Sequence, residues 1–181
     1  ASSIGLAEHR LTGTRIRVAV LTNFTQDHLD YHGSMEAYWQ AKAALFSWPG
    51  LQAAVLNIDD PHGAQLHSAL ALAQQAQPTP PLDLWSISMH QSARLRAQDV
   101  VFADAGLCFT VVEGAEQHRL QTAVIGDYNV SNLLGVLAAM RALGISLASA
   151  VAACAALEPM PGRIQRIATP GQPLVAVDYA H

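Results

Sequence analysis

Three short apolar runs, each followed by polar residues, organise the first half of the chain. They cover residues 16–21, 53–58 and 84–88. Runs of four to eight apolar residues bounded by turn residues predict buried strands. Helices are predicted between them over 35–47 and 61–75, the first with Ser34 as its N-cap. This alternation of strand and helix predicts an α/β fold on a largely parallel sheet.

The second half of the chain has a different pattern. Residues 94–125 alternate apolar and polar side chains around two glycine-containing turns, which predicts antiparallel strands. Four more elements are predicted: helices over 130–143 and 147–157, and strands over 164–167 and 174–177. The expected fold is therefore a largely parallel sheet flanked by helices, with a small antiparallel β insert.

Composition excludes several classes of protein. The chain is 51% hydrophobic and 13% charged, which is typical of a folded globular protein. Its net charge is -4 and it has no dense Lys and Arg cluster, so a nucleic-acid partner is not expected. The apolar run 147–157 is too short for a membrane span, which takes roughly 20 residues. Cys108 and Cys154 lack a CxxC spacing, which favours free thiols and a cytoplasmic location.

Lys42 lies within an otherwise apolar helical stretch. On a helix it shares a face with four apolar residues, Tyr38, Trp39, Leu45 and Phe46. Two interpretations stay open from spacing alone. In one, the stem packs while the ammonium reaches water. In the other, burial lowers the pKa of the amine, which adds carbon dioxide to form a carbamate able to bind Mg²⁺.

An Asp-His cluster precedes this lysine, at residues 27–32. His28 follows a predicted strand, and sites in α/β sheets commonly lie at strand ends. Asp27 and Asp30 can cap the loop or fix the tautomer of the histidine. His28 itself can also be a loop-capping residue. Close to a carbamate, it would form part of a Mg²⁺ site for phosphoryl chemistry.

Together these residues resemble the Mur ligase family. The matching stretches occur in the family's order and span nearly the whole chain: SSIGLAEHRL, TNFTQDHLDYHGSMEAYWQAK, LNIDD, GDYNVSNLLGVLAAMRALG, PMPGRIQ and VDYAH. DHLDYHG with AYWQAK is similar to the members that add the third peptide residue of the cell-wall precursor. The resemblance implies a central ATP-binding domain over 1–163 and a hinge with the start of a C-terminal ligase domain over 164–181.

The resemblance also implies an activity. It is ATP-dependent addition of an amino acid, meso-diaminopimelate or lysine, to UDP-N-acetylmuramoyl-L-alanyl-D-glutamate through an acyl phosphate. Mg²⁺ is the implied cofactor, ATP a substrate, and a monomer the expected state. The alternatives are another Mur ligase, an amide ligase similar to folylpolyglutamate synthase, or a non-catalytic binding module in which Lys42 only snorkels.

Specific residues follow from the motifs. Carbamoylated Lys42 and His28 are the implied catalytic residues and Mg²⁺ ligands. The implied ATP-binding residues are Asn129 and Asn132 near the adenine, Arg163 at the phosphates and Asp178 at the ribose. An alternative for Asn129, and a weaker one for Asn132, is capping of a helix.

The amino end matches positions that hold the UDP-muramoyl dipeptide, at Ser2, Glu8 and Arg10. Arg10 suits a substrate with a pyrophosphate and carboxylates. Glu8 departs from the pattern, in which glutamine is usual, and Ile4 replaces a frequent histidine.

The sequence contains no GxxxxGKS or GxxxxGKT loop. In the family this phosphate-binding loop and a Mg²⁺-binding glutamate precede the SS motif. We therefore expect the chain to be a piece of a larger protein, and we expect the piece alone neither to hydrolyse ATP nor to bind it tightly.

Overall fold

A computed structural model describes residues 1–76, 81–103, 106–158, 165–167 and 175–177. Within these residues a six-stranded sheet has its strands in chain order. The strands are β1 Val18–Leu21, β2 Ala53–Asn57, β3 Asp83–Ser88, β4 Leu95–Ala103, β5 Gly106–Glu113 and β6 Glu116–Thr122. β1 to β4 pair in parallel, and β4, β5 and β6 pair antiparallel. The predicted α/β class is confirmed, and the antiparallel strands continue the parallel sheet instead of forming a separate layer.

Six helices accompany this sheet in the described part of the chain. They are α1 Ser3–Ala7, α2 Leu29–His32, α3 Met35–Ala43, α4 Pro61–Ala76, α5 Tyr128–Ala142 and α6 Leu147–Ala155. The predicted helix over 35–47 is α-helical as far as Ala43 and continues as a 3-10 turn, Ala44–Ser47. The short helices α1 and α2 were not predicted, because four or five residues show no helical periodicity.

The last predicted strands form a separate antiparallel pair, β7 Gln165–Ile167 with β8 Val175–Val177. The proposed domain boundary after residue 163 lies outside the described residues and stays a prediction. No helix in the described ranges is long and apolar enough to cross a membrane.

Both faces of the sheet are covered. Every residue of β2 is buried, as is typical of a parallel strand between two layers of helices. Val55 faces the cluster that contains Leu134 and Leu147, from α5 and α6. Leu56 faces a second cluster, where it packs with Phe46 and partly buried side chains of α3 and α4. Because β1, β2 and β3 are parallel, their carboxyl ends meet at one edge of the sheet.

Candidate functional site

Tyr38 of α3 is the centre of the candidate site. Its side chain is buried, and three charged or titratable groups surround the ring. Lys42 Nζ lies 5.1 Å from the ring centroid. The His32 ring lies 5.3 Å away and the His28 ring 6.2 Å away, centroid to centroid. The structure therefore brings His28 and Lys42, which the motifs single out, to the same aromatic ring.

Lys42 is the only lysine in the chain. It is half-buried, so its stem packs while its ammonium lies over the Tyr38 ring. A cation over an aromatic face is attracted by the ring quadrupole, by about 0.5–1 kcal/mol at an exposed site. This contact fits the interpretation in which the stem of Lys42 packs against the protein, and it does not test the carbamate interpretation. Both interpretations of Lys42 from the sequence therefore stay open.

His28 holds an unusual backbone conformation. It precedes α2 with φ of 52°, in the left-handed region, which non-glycine residues seldom occupy. The carboxylate of Asp27 contacts both the backbone and the ring of His28. Asp27 Oδ1 accepts from the backbone N–H of His28 at 2.8 Å, and Asp27 Oδ2 lies 3.4 Å from His28 Nε2. Asp27 thus contacts His28 as an orienting carboxylate would.

The predicted Mg²⁺ ligands would supply only part of a metal site. No group of three or more His, Cys, Asp or Glu side chains in the described residues could hold a metal ion. Mg²⁺, however, usually binds through one or two carboxylates together with substrate phosphates and water. A carbamate on Lys42 would supply such an oxygen, and His28 a second protein ligand.

The predicted substrate arm at the amino end contacts this centre through α2. Ser2 caps α1, because its Oγ accepts from the backbone N–H of Gly5 at 3.0 Å. Buried Ser3 places its Oγ 2.9 Å from His32 Nε2. The Tyr31 hydroxyl donates to Glu8 Oε1 at 3.2 Å. These contacts join the two short helices that local periodicity did not indicate.

Glu8 is engaged within the protein. Besides accepting from Tyr31, its carboxylate forms a close ion pair with Arg10. Desolvation and then the bond to Glu8 raise the pKa of the Tyr31 phenol. The carboxylate that replaces the family's usual glutamine therefore orients Arg10 and Tyr31, two side chains beside the predicted substrate position.

The predicted adenine residues lie at the start of α5. Asp127 is the N-cap and accepts from the N–H of Tyr128, so the alternative that Asn129 caps this helix is wrong. Asn129 Nδ2 donates to the Ile125 carbonyl at 2.6 Å. Asn132 Nδ2 donates to Asn129 Oδ1 at 3.2 Å, and Asn132 is exposed. Two other predicted ATP-binding residues, Arg163 and Asp178, lie outside the described residues.

Two concave surfaces flank α5. A cavity of about 530 Å³ lies where the helix begins, and its lining includes Met89, Asp99 and Tyr128. A groove of about 440 Å³ lies beside α5 and the edge strand β1, and it is lined by apolar side chains together with Thr22 and Asn132. The predicted adenine-binding residue Asn132 therefore opens onto a concave surface.

Polar residues at the end of β2 were missed as site residues. Asn57 Nδ2 donates to the Thr22 carbonyl at 2.8 Å, and Asp60 Oδ2 accepts from the N–H of Phe24 at 2.9 Å. A signal was present, because LNIDD places three polar residues around the end of a buried strand. The motif does not indicate the hydrogen-bond partners of Asn57 and Asp60, which lie 35 or 36 residues earlier in the chain.

Comparison with known proteins relates this geometry to a family. The Mur ligase middle domain model matches residues 1–140. A UDP-N-acetylmuramoyl-L-alanyl-D-glutamate--2,6-diaminopimelate ligase of Acidovorax sp. (strain JS42) is 65% identical over 181 residues, which is 100% of this chain and 35% of that protein. The chain thus spans about a third of the length of this relative.

Solved structures of ligases resemble the fold of this chain. A structure of a ligase with the same substrate name superposes with a TM-score of 0.85 at 37% identity, over 100% of this chain and 36% of that chain. A pseudomurein peptide ligase type C from Methanothermus fervidus, at 18% identity, shares the fold alone, with a TM-score of 0.75 over 96% of this chain and 40% of that chain. Since the middle domain model covers most of the sequence, the chain belongs to the Mur ligase middle domain family.

Proposed function

We propose that the complete protein containing this chain is an ATP-dependent ligase of peptidoglycan synthesis. It adds a diamino acid as the third residue to UDP-N-acetylmuramoyl-L-alanyl-D-glutamate. The observation that carries the proposal is 65% identity, over the whole chain, to a protein named for that reaction. The approach of His28 and Lys42 to one buried ring supports it.

The proposed reaction has two steps. The precursor carboxylate attacks the γ-phosphorus of ATP, which forms an acyl phosphate and releases ADP. The amine of the incoming amino acid then attacks the acyl carbon, loses a proton and displaces phosphate, which leaves an amide. When bound, Mg²⁺ would neutralise charge on the transferring phosphoryl group.

The residues of this chain serve mainly to bind and orient. His28 and carbamoylated Lys42 would hold Mg²⁺, with Asp27 orienting the imidazole. Arg10 would bind the anionic precursor, held in place by Glu8, and Ser2 would bind there too as a predicted contact. The amides of Asn129 and Asn132 can read a base edge. Arg163 and Asp178 are proposed as ATP contacts on the motifs alone.

The diamino acid is proposed to be 2,6-diaminopimelate, the substrate named for the Acidovorax relative, with lysine as the runner-up. That the protein works as a monomer in the cytoplasm also stays a prediction.

The test uses the full-length protein that contains this chain, with purified precursor, ATP and each diamino acid. Release of phosphate and the mass of the product measure ligation. We expect Lys42→Ala and His28→Ala each to lower kcat by about 100-fold or more, the scale on which loss of one electrostatic group acts. His118→Ala is the matched control, because His118 lies on β6 at the opposite edge of the sheet and pairs with Glu116.

Three outcomes contradict the proposal in different ways. Full ligation by Lys42→Ala would show that the lysine only packs over Tyr38. Faster turnover with lysine than with diaminopimelate would change the substrate. Tight binding of the precursor by the wild-type protein without any turnover would favour a binding module.

A further inference from the structure

Two side chains at the carboxyl end of β2 hold the segment that follows β1. Asn57 Nδ2 donates to the carbonyl of Thr22, and Asp60 Oδ2 accepts from the N–H of Phe24. Asn57 is itself buried, so its amide replaces water for the Thr22 carbonyl. We call this pair, Asn57 and Asp60, the loop clamp.

Asp60 also bonds to the first turn of α4. Its Oδ1 accepts from the N–H groups of His62 at 2.9 Å and Gly63 at 3.1 Å. That turn is pressed against the end of β2, since a Cβ on Gly63 would lie 2.0 Å from the Asn57 carbonyl oxygen. One carboxylate therefore ties the Phe24 backbone to an element with little room to move.

Phe24 connects Asp60 to the candidate site. Its buried ring packs against Tyr38 at 4.8 Å, Trp39 at 5.1 Å and His62 at 4.5 Å, centroid to centroid. Tyr38 is the ring that His28 and Lys42 approach. His28 is also only four residues from Phe24 along the chain, so a shift of Phe24 moves the ring contact and the loop together.

We infer that Asp60 is a positioning residue for the His28–Lys42 pair, acting through the backbone and ring of Phe24. It contacts neither residue of the pair and needs no contact with substrate. The inference rests on the proposed function only for the statement that His28 and Lys42 act together in the reaction. The contacts from Asp60 to Phe24 and from Phe24 to Tyr38 are independent of that function.

Asp60→Asn is a sharp perturbation because it keeps the shape and removes one acceptor. The carboxylate serves three N–H donors with two oxygens, whereas an amide has one oxygen and two N–H donors. The variant can therefore satisfy either Phe24 or the first turn of α4, but it cannot satisfy both.

Asp59 provides a matched control one residue away. Its carboxylate accepts from Ser88 Oγ at 2.6 Å and from the N–H of Met89 at 2.7 Å, so it holds the loop after β3. Asp59→Asn makes the same chemical change next to the clamp while leaving the Phe24 bond in place.

Amide hydrogen exchange on the full-length protein tests the contact directly. In the wild-type protein, we expect the Phe24 amide to exchange as slowly as the His62 and Gly63 amides. Asp60→Asn should speed exchange at Phe24 by about tenfold or more, since a lost charge-assisted bond favours local opening. Asp59→Asn should instead speed exchange at Met89. Rapid exchange of Phe24 in the wild-type protein would overturn the inference even if Asp60→Asn does not fold.

Kinetics on the same proteins test positioning. We expect Asp60→Asn to lower kcat about tenfold and to raise the Mg²⁺ concentration at half-maximal rate, with the KM for the precursor nearly unchanged. Asp59→Asn should leave the Mg²⁺ dependence unchanged. Equal Mg²⁺ dependence in the two variants would overturn the positioning role. If His28→Ala and Lys42→Ala keep full activity, the proposed role of the pair fails while the ligase activity stands; if the wild-type protein forms no product, the proposed function fails. In either case the exchange result still decides whether Asp60 holds Phe24.

Discussion

Gly63→Ala should destabilise the protein, although alanine usually favours a helix. Gly63 lies in the first turn of α4, and its Cβ position is 2.0 Å from the carbonyl oxygen of Asn57 and 3.0 Å from the carbonyl carbon. Both atoms are backbone, so no rotamer change relieves the contact. The turn must retreat by roughly 1.4 Å to reach an ordinary contact of 3.4 Å, and interiors packed this densely resist such shifts.

The expected cost follows from three contributions. Overpacking costs about 1–3 kcal/mol. The retreat also stretches the 3.1 Å bond from Gly63 N to Asp60 Oδ1, and a bond to a charged group contributes about 1.5–3 kcal/mol. Alanine returns at most about 1 kcal/mol of helix propensity. We therefore expect a net loss of about 1.5–5 kcal/mol.

Gly135→Ala in α5 is the matched control. A Cβ there would meet only side-chain ends, Val20 Cγ1 at 3.3 Å and Ile87 Cδ1 at 3.8 Å. These methyl groups can adjust, so the gain in helix propensity offsets the contact. The stability of this variant should lie within about 1 kcal/mol of the wild type.

Thermal and urea unfolding of the chain give the result. For a chain of 181 residues, the expected loss lowers Tm by about 3–20 °C, at 2–4 °C per kcal/mol, and lowers the urea midpoint at constant m. A Tm for Gly63→Ala equal to that of Gly135→Ala would refute the reasoning, because it would mean that α4 does not press against the end of β2.

Two further predictions concern the core. Leu134 is 0% exposed, so Leu134→Ala should lower the free energy of unfolding by about 2–5 kcal/mol in a urea titration. Leu72 is 65% exposed, so Leu72→Ala should change this free energy by less than about 0.5 kcal/mol. Equal effects of the two variants would contradict the packing of α5. Burial raises the pKa of the Cys154 thiol above its ordinary value, so the native thiol should react with a disulfide reagent far more slowly than the unfolded one. Because the folded state keeps the thiol proton more tightly than the unfolded chain, this group's contribution to stability is full below about pH 9 and is lost as pH rises beyond it; a Cys154→Ala variant with an unchanged pH profile would contradict this.

Local signals located most elements well. Ser34 was predicted as an N-cap, and its side chain accepts from the N–H of Ala37 at 3.1 Å. The predicted helix over 130–143 corresponds to α5, and Gly144 follows it with φ of 89°, as is common for a glycine just after a helix. The buried runs became β1, β2 and β3 within one or two residues. Caps and strand burial depend on neighbours in sequence, so the sequence determines them locally.

Pairing across the sheet was only partly predictable. Alternation over 94–125 indicated antiparallel strands, but it could not show that β4 pairs in parallel with β3 and so joins the two halves into one sheet. A period-two pattern predicts which face of the sheet a side chain occupies, but it does not predict which strand lies next to it.

The candidate site divides in the same way. From the sequence alone came the residue types: an imidazole after a strand, a lysine among apolar side chains and a motif shared with a ligase family. Only the tertiary structure decided that His28 and Lys42 both approach the Tyr38 ring, that Glu8 engages Arg10 and Tyr31, and that Asp60 reaches Phe24. The physical reason is that most of these contacts join residues that parallel strand pairing and helix packing bring together. Contacts between residues far apart in the sequence produce no periodic pattern in it.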